Sequence, residues 1–107
     1  LFGMSIEIKM AVADTLSDGI ARAGQRLVNC LLSDGTVFIC GNGGSSANCM
    51  HFTSSMLNHF EVERPPLPVI NLCNDATSLS SFANENHYSQ VFARQIQALG
   101  QEQDVLI

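Results

Sequence analysis

The chain has 107 residues, a length that allows one domain at most. A hydrophobic fraction of 46% marks it as a packed globular chain and excludes a disordered one. The net charge of −5 and only five Lys and Arg residues exclude direct nucleic-acid binding, which needs clustered basic side chains.

No apolar stretch approaches membrane-spanning length, and no charged-then-apolar leader precedes the first helix, so no membrane partner is expected. Cys30, Cys40, Cys49 and Cys73 show no CxxC spacing. Cys30 and Cys40 lie in apolar runs and read as small buried hydrophobes. This pattern points to a reduced, cytoplasmic setting.

In chain order, helical periodicity places a first helix over Asp14 to Ser33. Leu16, Ile20, Ala23, Leu27 and Leu31 recur on one face, with Val28 and Leu32 beside them. Residues 1–13 read as a leader or as the start of that helix. Thr36 to Cys40 is apolar throughout and predicts a central parallel strand. A second helix is expected from Ser46 to Asn58. Pro65 and Pro66 then enforce a linker. Leu67 to Leu72 predicts the second strand. Short and longer helices are expected over Ser78 to Ala83 and Ser89 to Leu99, with Gly100 as the stop. Phe92, Ile96 and Leu99 form an apolar stripe that reads as core. Val105 to Ile107 predicts a third strand. It has no turn after it, so the chain reads as the first part of a longer domain.

Alternation of this kind predicts a parallel sheet with helices on both faces. Ligands of such sheets bind at the carboxyl ends of the strands. Two polar loops leave strands at that edge, Gly41 to Ser46 and Cys73 to Ser78. The first is the more informative. Gly41-Asn42-Gly43-Gly44-Ser45-Ser46 joins a strand to a helix start, where free N–H groups and the helix dipole favour an anion. Asn42, Ser45 and Ser46 add side-chain donors. A tight turn without a ligand is the alternative. The bend is not a dinucleotide fingerprint, because Ser46 replaces the third glycine. It is not a Walker A loop, because no Lys follows.

Several separated motifs carry a resemblance. They are Cys40-Gly41-Asn42-Gly43-Gly44-Ser45, His51-Phe52, Arg64-Pro65-x-Leu67-Pro68, Ala83-Asn84, Val91-Phe92-x-Arg94-Gln95-Ile96, and Gly100 with Asp104-Val105-Leu106. Together they resemble the sugar isomerase (SIS) domain of the phosphoheptose isomerase family, from about Ile20 onward. The resemblance is nearest to the branch of DnaA initiator-associating proteins (DiaA), through His51-Phe52-Thr53-Ser54-Ser55-Met56 and Glu63-Arg64-Pro65.

The resemblance implies a flavodoxin-like α/β three-layer sandwich, with residues 1–107 as the N-terminal part of a single SIS domain, assembled as a homotetramer. It implies sugar-phosphate contacts from Asn42, Gly43, Gly44 and Ser45. It implies further contacts from Asn84 and Glu85, where Glu replaces the family's Asp. It maps the family's zinc-binding histidine to His51.

One departure bears on function. In the isomerases a glutamate sits four residues after the helix histidine, on the same helix face. Here that residue is Ser55, whose hydroxyl is a poor zinc ligand and no carboxylate base. Ser54 points about 100° away and does not replace it. His51 then reads as a sheet-edge histidine, and no cofactor is expected; zinc would enter only with an active isomerase. Glu85 is the remaining carboxylate for acid–base work. His59 and His87 lack ligand spacing, and Glu61 and Glu63 read as surface charge around Arg64. These readings lead to a non-catalytic, DiaA-type sugar-phosphate binder whose partner is the DnaA protein. The alternative is an isomerase converting sedoheptulose 7-phosphate to D-glycero-D-manno-heptose 7-phosphate, with its base supplied elsewhere.

Overall fold

A computed structural model describes all of residues 1–107. The elements are α1 (Phe2–Leu32), β1 (Val37–Ile39), α2 (Gly44–Leu57), β2 (Val69–Asn71), α3 (Ala76–Asn84), a 3₁₀ turn (Tyr88–Gln90), α4 (Val91–Leu99) and β3 (Val105–Leu106). The order matches the sequence reading, and α1 is the main difference. It starts at Phe2 rather than Asp14, so residues 2–13 are continuous helix. No proline interrupts this stretch, and Met4, Ile6, Ile8 and Met10 continue it without a capping signal.

All three strands are parallel and ordered β2-β1-β3. Val37 pairs with Val69 on one side and with Val105 on the other. The chain moves from β1 to one neighbour through α2, then crosses past β1 to the other through α3 and α4. That reversal creates a switch point at the carboxyl end of β1, the place where open α/β sheets take ligands.

Alternation along β1 divides the core. Val37 and Ile39 join Cys30 of α1, Cys49 of α2 and Val69, with Leu27, Leu31, Phe52 and Met56 packed around them. Phe38 faces the opposite way, toward Ile96 of α4. Helices therefore cover both faces, as expected for the three-layer sandwich. Asp104 ties the first and third strands together. Its carboxylate accepts from the Thr36 N–H at 2.8 Å and the Gln101 N–H at 2.7 Å.

Two packing expectations are corrected. Leu27 and Leu31 do pack on the core, but Leu16 and Ile20 are 52% and 62% exposed. At about 1.5 Å per residue α1 is about 46 Å long, and the three-residue β1 cannot reach its first half. The radius of gyration is accordingly 16.2 Å, against about 13 Å for a compact chain of about 100 residues. In α4, Val91 is the fully buried residue while Leu99 is half exposed. Phe92 and Ile96 are half-buried.

Arg64 is also more than linker charge. Its guanidinium donates to the carbonyls of Ser55 at 2.8 Å and Met56 at 2.9 Å. A cation on the last carbonyls of a helix satisfies orphan acceptors and complements the dipole. It fastens the proline linker to the end of α2.

Asp75 caps α3, accepting from the Thr77 and Ser78 N–H groups. These bonds, with the Ser78 hydroxyl first among them, hold its carboxyl below the ordinary value of 3.8. The stabilisation is present above that value and is lost as pH falls below it through the lower folded-state value. Thermal unfolding followed across this acid range should show Asp75→Asn, which keeps the cap, losing less stability on acidification than the wild type. In the core, Phe38→Ala should cost about 3–5 kcal/mol in urea unfolding, since Phe38 is only 2% exposed.

Candidate functional site

The site is built where β1 ends. Gly41 follows Cys40 and must pass close to the first turn of α2. A Cβ on Gly41 would lie 2.8 Å from Ser45 Cβ and 3.0 Å from its carbonyl carbon, so only glycine fits. Gly43 caps α2 with φ at +56°, a left-handed conformation that also favours glycine. The Ser45 N–H donates to Asn42 O and the Ser46 N–H to Gly43 O, each at 3.0 Å. Those two amides close the turn. The N–H groups of Asn42, Gly43 and Gly44 have no backbone acceptor, and all three residues are exposed. Three free N–H groups at a helix start form an anion-binding cradle.

Cys73 holds the bend from below. Its thiol donates to Gly41 O at 3.0 Å, and its sulfur accepts from the Gly41 N–H at 3.3 Å. The buried Asn71 side chain fixes that loop by accepting from the Cys73 N–H at 2.9 Å. Burial, and then the neighbouring Cys73, pushes the Cys40 and Cys49 thiols up from 9.0. They stay protonated at neutral pH and act as fillers. Cys40 is half-buried rather than buried.

Above the bend, Tyr88 of the 3₁₀ turn donates its hydroxyl to Asn42 Oδ1 at 2.6 Å. Asn84 and Glu85 precede Tyr88 by four and three residues. Asn84 closes α3 and Glu85 is its C-cap, both exposed. Glu85 lines a hollow with Phe82, His87, Gln90 and Arg94. Neither Cys73 nor Tyr88 was among the predicted site residues. Tyr88 carried no signal, since a single tyrosine beside a helix start has no motif around it. Cys73 did carry one, its place at the exit of β2 level with Gly41.

His51 lies elsewhere. It is exposed on α2 and lines a separate cavity of about 610 Å³ with Asn48, Phe52, Ser55, Met56 and Arg64. His51 and Ser55 share one helix face, as the four-residue spacing predicts. One imidazole and one hydroxyl do not make a zinc donor set. No three His, Cys, Asp or Glu side chains of the chain converge on one point. Residues 1–107 therefore do not by themselves fit zinc.

A doubly wound parallel sheet with a glycine bend at its switch point defines the class as an open α/β fold. The SIS domain family matches residues 2–107, and the chain belongs to that family. It is 49% identical over 107 residues to the phosphoheptose isomerase of Halorhodospira halophila, covering all of this chain and 54% of that protein. It is 47% identical over 106 residues to the phosphoheptose isomerase of Methylococcus capsulatus, covering 99% of this chain and 54% of that protein. A solved phosphoheptose isomerase from Francisella tularensis superposes with a TM-score of 0.91 at 47% identity, over 98% of this chain and 55% of that one. The chain thus spans about half the length of the curated relatives it matches. No helix is long and apolar enough to cross a membrane.

These names overturn the DiaA-type, non-catalytic, DnaA-binding expectation. That reading rested on Ser55, a half-buried position on α2, and on two short segments, residues 51–56 and 63–65. The isomerase likeness runs through the whole chain, including the bend and the core.

Substitutions at the glycines separate fold from ligand grip. Gly41→Ala should abolish inorganic phosphate binding in calorimetry and lower the unfolding midpoint. Gly44→Ala, whose Cβ meets nothing within 4 Å, should leave the midpoint nearly unchanged.

Proposed function

We propose that residues 1–107 form the sugar-phosphate-gripping part of a phosphoheptose isomerase acting on sedoheptulose 7-phosphate. The observation that carries this reading is the row of unpartnered N–H groups at Asn42, Gly43 and Gly44, in a chain whose relatives bear that enzyme's name. A phosphorylated sugar offers the acceptor oxygens such a row holds.

Aldose–ketose isomerisation removes a proton from the carbon beside a carbonyl and returns one to the neighbouring carbon. In this reading Asn42, Gly43, Gly44 and Ser45 fix sugar or phosphoryl oxygens, so that the reacting carbons stay in register with the base. Asn84 holds a sugar hydroxyl through its amide. Glu85 is the carboxylate of this set able to exchange a proton near the bend. Ser55 supplies none. His51 stands outside this set, in the separate cavity on α2.

A homotetramer is part of the same proposal. Leu16 and Ile20 leave an apolar row on α1 with no partner in the chain, and copies of the protein packed along it would bury that row. Four free thiols are in keeping with a reduced, cytoplasmic setting.

The test is turnover of sedoheptulose 7-phosphate by the full-length protein, with and without added zinc. Aldose product should form, and Asn42→Ala should lower kcat/KM roughly tenfold, the size of one lost hydrogen bond to a charged or polarised group. Glu85→Gln should lower kcat more than it raises KM. No turnover under either condition overturns the reading.

A further inference from the structure

We propose that Tyr88 is a positioning residue for the sugar-phosphate bend, locking the Asn42 side chain so that its amide N–H groups face the ligand. The inference rests on the isomerase reading above and adds to it a residue outside the glycine motif. Its basis is the 2.6 Å bond from the Tyr88 hydroxyl to Asn42 Oδ1, across 46 residues of sequence.

The bond determines what Asn42 can offer. A phenol donating to Oδ1 occupies the acceptor end of the amide. The two Nδ2 hydrogens have no partner within the chain, and neither does the Asn42 backbone N–H. All the donors left open at this residue suit an acceptor-rich ligand, such as a phosphoryl group or a sugar hydroxyl. Without Tyr88, no hydrogen bond within the chain would hold χ1 and χ2 of the exposed Asn42 side chain. The side chain would then be ordered only when ligand bound.

Tyr88 is itself held in place. Just past the C-cap of α3, Asn86 takes φ +60°, and the His87 N–H donates to Phe82 O at 2.8 Å. That reversal turns the chain back toward the bend. The Gln90 N–H closes the 3₁₀ turn on His87 O at 2.9 Å. Beyond it, Gln95 of α4 donates to Leu72 O at 3.0 Å, anchoring the corner to the end of β2. Tyr88 remains 41% exposed and contributes its hydroxyl rather than a buried ring.

Immobilising one side chain in advance is worth about threefold to tenfold in affinity. The experiment compares wild type, Tyr88→Phe, Asn42→Ala and the double variant as full-length proteins, with sedoheptulose 7-phosphate as substrate. Tyr88→Phe should raise KM about threefold to tenfold while kcat and the unfolding midpoint stay close to wild type. In the Asn42→Ala background, Tyr88→Phe should add nothing further. NMR relaxation without substrate should show the Asn42 side-chain amide more mobile in Tyr88→Phe than in wild type. An active wild type whose KM is unmoved by Tyr88→Phe, or fully additive effects in the double variant, overturns the positioning role alone. A wild type inert toward the substrate overturns the isomerase reading and this role with it. An Asn42 amide equally ordered in Tyr88→Phe overturns the positioning role whatever the kinetics.

Discussion

The close approach of Gly41 to Ser45 is the constraint on which the rest of the site depends. Only a residue without Cβ lets β1 turn into α2 within so few residues. That sharp entry leaves three consecutive N–H groups without acceptors at the helix start. Cys73 adds a second restraint, because one sulfur both donates to and accepts from the same Gly41 peptide groups. The bend is thereby clamped from the neighbouring strand before any ligand arrives. Pre-organisation of this kind spares the ligand the cost of ordering the loop.

The thin core explains why so much depends on polar restraints. Three short strands bury few side chains, and Phe38, Val37, Leu72 and Val91 account for the largest of them. Asp104 bridging to Thr36, Arg64 on the end of α2 and Gln95 on Leu72 each join elements that share little apolar contact. Each satisfies backbone groups that would otherwise be left without partners at element ends. The outer half of α1 stands apart from this arrangement, with its apolar residues facing solvent in the isolated chain.

The contrast between His51 and the bend separates two kinds of inference. Ser55 in place of a carboxylate changes what that helix face can do chemically, since one imidazole and one hydroxyl are no zinc donor set. The conclusion that the whole protein had left the isomerase group did not follow. Identities of 42–49% to phosphoheptose isomerases extend over 106 or 107 residues of the chain. A single half-buried side chain weighs little against a likeness of that length.

Much of this could be read from the amino acids alone. Apolar runs and helical periods depend on neighbours within a few residues, so they marked the order of elements, the parallel sheet and the glycine bend. They failed at the start of α1, where Met4, Ile6, Ile8 and Met10 alternate in steps of two, a strand-like spacing inside a continuous helix. Folding in three dimensions decided the rest. The β2-β1-β3 order, the thiol of Cys73 on Gly41 and the hydroxyl of Tyr88 on Asn42 join positions far apart along the chain. Crossover topology brings such groups together, and no local spacing encodes it.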